Sequence, residues 1–278
     1  MDYFLIILIG FFFFILFGIN PFFKNHEPFT SINKFFNSDA TQAVAIGQKH
    51  FYAISNKSIS KCKKSDGQII DRWVSSIESM HLNSGVIVGK YLLCANNPPF
   101  ENIKISHEKH LKRPITNIDT IEIFNHKTME HVRTIYIKMS GLLRLGSFTW
   151  IDFYEDNWWG AFAFYGNFAK YTTLVRFTID WKNDKIKILE KWEFPKKIIK
   201  NFYPYSNSGC SIKDDIFYCT GHDKKEIYLM KFDKNRLLYS NTIPSKNTGQ
   251  GISWDRYTDK NILYTIDRKN KMVIAQSL

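Results

Sequence analysis

The chain has 278 residues, 44% of them hydrophobic and 16% aromatic, with a formal net charge of +12 and four cysteines. That composition supplies a real hydrophobic core and excludes a disordered chain, and the sparse cysteines exclude a disulfide-stapled miniprotein. A single long apolar run excludes a polytopic membrane protein.

That run covers residues 3–19, seventeen in all, the short end of what a helix needs to cross a hydrocarbon core. Asp2 is the only charged side chain before it, and no small-residue cleavage site follows. The pattern predicts an uncleaved transmembrane anchor over residues 1–23, with a cleaved secretory signal as the alternative and residues 24–278 forming the domain. Lys24 and Lys34, read by the positive-inside rule, would place that domain in the cytoplasm. Large domains cross regardless of such charges, and the resemblance described below favours the extracytoplasmic side. No K/R-rich cluster, recognition-helix pattern or RNP-type aromatic motif accompanies the positive charge, so nucleic acid is not an expected partner. The expected consequence of the charge is weak, salt-dependent attraction to an anionic membrane surface.

A strand-like segment, residues 29–36, precedes a recurring unit. Residues 50–56 (HFYAISN), 91–97 (YLLCANN), 216–222 (IFYCTGH) and 262–268 (ILYTIDR) share large apolar residues, then a small one, then polar turn residues. Residues 158–163 (WWGAFA) form a looser fifth copy. Each follows a short apolar strand across a turn, the signature of a β-hairpin, and every copy except the last is followed by two more strands. Turns such as KKSDG, DWKND and FDKN carry the residues that tolerate positive φ, and helical periodicity is absent from the body. The last copy is one strand short, and residues 29–36 are the spare strand that completes it. The prediction is an all-β fold, a five-bladed β-propeller closed by both chain ends, with six blades as the alternative count. Residues 96–117, rich in proline and charge, read as a surface insertion in the second blade.

Superimposing the copies brings Gln42, Ser84, Ser147, Ser208 and Gln250 to one position, immediately before the innermost strand. Small residues follow at Ala43, Gly85, Gly209 and Gly251, as crowding at a propeller axis requires. Thr41, Asn83 and Asn207 lie one position earlier, and His81 just beyond. Together they predict a polar funnel at the channel mouth, with Trp150, Trp158, Trp159, Phe164, Tyr205 and Trp254 available as apolar walls. His81 is the candidate general base. Asn83, Asn207, His222 and Asp152 join the ring residues as candidate ligand contacts. His107, His110, His126 and His131 read as solvated. No ligand spacing points to a metal, and no P-loop, nucleophile elbow or dinucleotide fingerprint specifies a cofactor. Cys210 and Cys219 fall on the two strands of one hairpin. Cys94, Ala53 and Thr265 share the repeat slot of Cys219, so small buried side chains are expected at these positions in preference to a disulfide.

At these motifs the sequence resembles a family of bacterial β-propeller proteins whose members often carry the label cycloisomerase. The matching residues are Ala40, Thr41, Gln42 and Ala43, the stretch FYAISN from Phe51, HLNSG from His81, FTWID from Phe148, WWG from Trp158, SNSG from Ser206, TGHD from Thr220 and QGISWDR from Gln250. The chain departs from that family's pattern at Ala43 and Cys210, where glycine is usual. The TQ and GQG openings are similar, more distantly, to those of glutamine cyclotransferases, which are five-bladed propellers. The resemblance implies a propeller outside the cytoplasm that binds a small polar ligand or a protein partner at the funnel. The alternative it implies is lyase, isomerase or cyclotransfer chemistry at the same place.

Overall fold

The computed structural model describes residues 28–98 and 118–277, so the apolar run lies outside the described residues, as does most of the insertion. Among the described residues, no helix is long and apolar enough to cross a membrane.

Twenty strands form five four-stranded antiparallel sheets. The first strand, β1 (Thr30–Phe36), is set aside from its sequence neighbours. Blade one contains β2 (Ala43–Ile46), β3 (His50–Ile54), β4 (Ser58–Lys63) and β5 (Ile69–Val74). Blade two contains β6 (Val86–Val88), β7 (Tyr91–Asn96), β8 (Thr120–Asn125) and β9 (His131–Tyr136). Blade three has β10 (Ser147–Tyr154), β11 (Asn157–Ala163), β12 (Thr173–Asp180) and β13 (Lys185–Glu193). Blade four has β14 (Gly209–Lys213), β15 (Ile216–Thr220), β16 (Glu226–Asp233) and β17 (Arg236–Pro244). Blade five combines β18 (Ser253–Trp254), β19 (Ile262–Asp267) and β20 (Met272–Ser277) with β1, which pairs with β20 from Thr30↔Ser277 to Phe36↔Met272.

The innermost strands β2, β6, β10, β14 and β18 touch in sequence, and β18 returns to β2, so the ring is closed: a five-bladed β-propeller. Burial follows from that closure. Five apolar clusters fill the five interfaces between neighbouring blades, for example Phe148, Phe162 and Phe177 with Ile121 and Ile135 between blades two and three. Tight hairpins join the inner strands: Glu155 and Asp156 before β11, and Asp214 and Asp215 before β15, all take positive φ, the pairing that matches strand twist in a two-residue loop.

Two features differ from the sequence expectation. A short α-helix, Lys196–Phe202, precedes blade four and buries Ile198 and Phe202. Seven residues span two turns, too few to print a helical period. Cys210 and Cys219 are joined by a disulfide, where small unpaired side chains were expected. They lie directly opposite in the β14–β15 register with Cα atoms 4.1 Å apart, the close type of antiparallel pair in which side chains come nearest.

Candidate functional site

The loops before each inner strand and the turns after each second strand lie on one face of the ring, and the predicted funnel is built there. Its floor is closed by contact between inner strands. A Cβ placed on Gly251 would sit 2.5 Å from the Cβ of Ala43 and 3.1 Å from the Asn83 carbonyl oxygen, and one on Gly209 would sit 2.7 Å from Gly251 Cα. Blades one, two, four and five therefore meet at van der Waals distance, and the funnel is a bowl rather than a bore. The Gly251 amide donates to the Gln42 carbonyl at 2.8 Å and sews blade five to blade one.

Six sequence-predicted residues stand at the rim of this bowl. Gln42 donates through Nε2 to Asn56 Oδ1. Gln250 is held at φ 73°, a left-handed conformation costly for a non-glycine residue; its amide donates to the Gly221 carbonyl and its carbonyl accepts from the Thr220 hydroxyl. Its side-chain amide has no hydrogen-bond partner among the described residues, so the strained backbone presents a free donor and acceptor pair. Ser208 is half-buried beside it. Asn83 donates to the His81 carbonyl, and the His81 amide in turn donates to Asn96 Oδ1 at 2.8 Å. Burial holds the His81 imidazole below its ordinary pKa, and the Arg268 charge adds to that effect against an opposing bond from Asn83. His222 stacks on Tyr205 with ring centroids 4.0 Å apart and pairs through Nδ1 with Asp223.

The remaining predicted residues are engaged in holding the fold. Ser84 Oγ accepts from the Ile151 amide at 3.0 Å, joining blades two and three. Asn207 is 1% exposed, accepting from Trp150 Nε1 and donating to the Gly209 and Thr220 carbonyls. Ser147 opens β10 and is buried opposite Ala163. Asp152 lies toward the far end of β10, away from the bowl, where it accepts from both Arg256 Nη atoms and from the Ile212 amide. It is a staple between blades three, four and five. Of the aromatic residues considered as walls, Tyr205 stands at the rim, while Trp150, Trp158, Trp159, Phe164 and Trp254 are buried in the cores between blades. His126 is half-buried and bonds through Nδ1 to the Tyr52 hydroxyl, so it is not simply solvated, whereas His131 is exposed as expected and pairs with buried Glu122.

Sequence reasoning missed Arg268. It lies in the turn after β19, and its Nη1 reaches His222 Nε2 at 3.4 Å while its charge acts on His81. It therefore overhangs the bowl from blade five toward blades four and two. The signal was available: Arg268 occupies the repeat slot filled by Asn56, Asn97 and His222 in the other copies. Arg268 has no carboxylate partner among the described residues. The rim thus carries a guanidinium, two imidazoles and several amides, a donor-rich set suited to a ligand with acceptor oxygens. No group of acidic, cysteine and histidine side chains suited to a metal occurs among the described residues.

No family model matches the chain, and no curated protein matches it. Solved structures do. The glutaminyl cyclase of Myxococcus xanthus superimposes with a TM-score of 0.58 at 9% identity, over 90% of this chain and 97% of that one. The Swd1 β-propeller domain of Myceliophteria thermophila gives a TM-score of 0.43 at 8% identity, over 85% and 82% of the two chains. At such identities the first likeness concerns the fold, and it agrees with the topology described above.

Proposed function

We propose that this propeller is held at the outer surface of a membrane by residues 1–23 and binds a small polar ligand, or a polar segment of a protein partner, in the bowl. The observation that carries the reading is the convergence of Arg268, His222, His81 and the free amide of Gln250 over a closed floor. Groups from blades two, four and five meet there with more donors than the fold consumes. The Cys210–Cys219 disulfide supports a location in an oxidising compartment. The direction of β1 supports an orientation: Thr30 pairs with Ser277, which also faces Ile262 beside the loop that follows β18. The chain therefore joins the ring on the face opposite the bowl, and an anchor preceding it leaves the bowl open to the surroundings.

A second reading, lyase, isomerase or cyclotransferase chemistry at the same bowl, draws on the state of His81. An imidazole held below its ordinary pKa is neutral at pH 7 and free to accept a proton. Both readings are tested by replacing Gln42 and Gln250 together with alanine and screening purified protein against metabolites. Each lost net hydrogen bond is about 0.5–1.5 kcal/mol, enough to weaken affinity several-fold and too little to unfold the domain. Unchanged affinity for whatever ligand the wild type binds, or a lowered unfolding midpoint in place of lost binding, removes the bowl as the site. For the enzyme reading, turnover retained in His81→Ala removes His81 as the base.

A further inference from the structure

The face opposite the bowl carries a concentration of positive charge that the fold does not neutralise. Lys61, on β4, is 8% exposed, yet its ammonium makes one hydrogen bond among the described residues, to the Lys127 carbonyl at 2.8 Å. An ammonium has three donors, and a buried one without a carboxylate is costly. Its neighbours do not offset the charge. Tyr52 lies directly across the β3–β4 register and bonds through its hydroxyl to His126 Nδ1 at 2.9 Å. His50 and His126 are each held below their ordinary pKa, first by burial and next by Lys61; Lys49 and Lys63 add to the effect at His50, and Lys127 at His126. No acid contributes to either shift. Of the carboxylates on the adjoining surface, Asp255 pairs with Lys64, Asp39 with Arg72 and Glu122 with His131, while Asp66 and Glu130, in the loops of this face, accept from the Gln68 amide and the Thr128 hydroxyl and form no ion pair with the cluster among the described residues.

We infer that the cluster of Lys61, His50, His126, Lys49, Lys63 and Lys127 is a binding site for a phosphate group. Lysines and imidazoles from two blades gather about Lys61, whose ammonium lacks a carboxylate among the described residues, and a tetrahedral oxyanion with several acceptor oxygens answers such a set better than a planar carboxylate. The site is separate from the bowl and does not depend on it. The source of the phosphate follows from topology. The loops at 47–49, 64–68 and 126–130 lie on the face where β1 joins the ring, which on the anchored reading faces the bilayer, so the phosphate assigned here is that of a phospholipid headgroup.

The test uses the full chain, 13C-labelled at histidine and held in neutral detergent, titrated with inorganic phosphate at constant ionic strength against chloride. The His50 and His126 resonances, assigned through His50→Gln and His126→Gln, should shift saturably with phosphate and not with chloride. Lys61→Met should weaken the response about tenfold, the size expected for one charge-assisted contact. Should that variant lose its folded spectrum, Lys49→Ala with Lys63→Ala, both at exposed positions, provides the same reading with a several-fold loss. Absence of a saturable shift in the wild type, an equal shift with chloride, or an unchanged curve in folded variants overturns the site. Short-chain phosphatidylglycerol should displace inorganic phosphate at lower concentration than glycerol phosphate does. The reverse order overturns the lipid assignment and leaves a site for a soluble phosphoester.

Discussion

Gly251 shows how far single side chains set the shape of the bowl. Its missing Cβ leaves room for the Cβ of Ala43, the position at which the resembling family carries glycine, so the two residues share one vacancy. Gly251→Ala should cost about 1–3 kcal/mol through overpacking, read as a lowered urea midpoint at constant m. Ala43→Gly placed in that background should restore most of the loss, and a double-mutant cycle without coupling would show that the two do not share space. Cysteine chemistry separates in the same way. Burial pushes the Cys62 thiol up to about 12 and the Cys94 thiol well above its ordinary range, so neither should react with iodoacetamide at pH 8 in the native protein. Mass spectrometry before and after unfolding checks this: two alkylated thiols should appear on unfolding without reductant, and four with it, because Cys210 and Cys219 are paired. At this scale the small residues and the ring were legible, since the repeat places them before each inner strand. The split between free and consumed polar groups was not. Gln250 and Asn207 look alike in sequence, and only the partners brought by Trp150, Gly209 and Thr220 distinguish them.

The elements were legible wherever they repeat. Each hairpin of apolar strand, turn, apolar strand and polar exit recurs, and the missing strand at one end with a spare strand at the other pointed to how the ring closes. What could not be seen is local and unrepeated: the helix Lys196–Phe202, and the register that sets Cys210 against Cys219. The strand β1 offers the sharpest test at this scale. Most of its side chains are exposed, but Phe35 is buried and packs 5.1 Å from Phe51 of blade one, so one side chain ties the closing strand to the first blade. Phe35→Ala should cost about 3–5 kcal/mol, a large share of the whole stability of a domain. Phe36→Ala, at 69% exposure on the same strand, should change the urea midpoint little. Equal effects from the two substitutions would mean that closure rests on backbone pairing with β20 and not on that contact.

Over the whole molecule, buried titratable groups in separate blades set the response to acid, and all act in one direction. His81, His50 and His126 have folded pKa values below the ordinary 6.5, burial being the first cause at each. The unfolded chain therefore binds more protons than the folded one below about pH 6.5, and the stability these groups provide above that pH is lost as acidity increases. Asp39 and Glu122 act lower. Burial alone would raise both, but bonds from Arg72, Ser60 and Ser58 to Asp39, and from His131, Thr120 and Thr134 to Glu122, leave each below its ordinary value. Their contribution is present above about pH 4.5 and disappears as they protonate. The urea midpoint should thus be level between about pH 7 and 8, fall from about 6.5, and fall again below about 4.5. His81→Gln should shrink the first fall without touching the second. The proposed phosphate site adds a condition that other accounts of the first fall do not share. A bound anion favours the protonated forms of His50 and His126, so saturating phosphate should flatten the part of the fall that these two carry, while the part due to His81, across the ring at the bowl, stays. A first fall unaltered by phosphate at matched ionic strength would place the anion elsewhere, whatever the total binding measured.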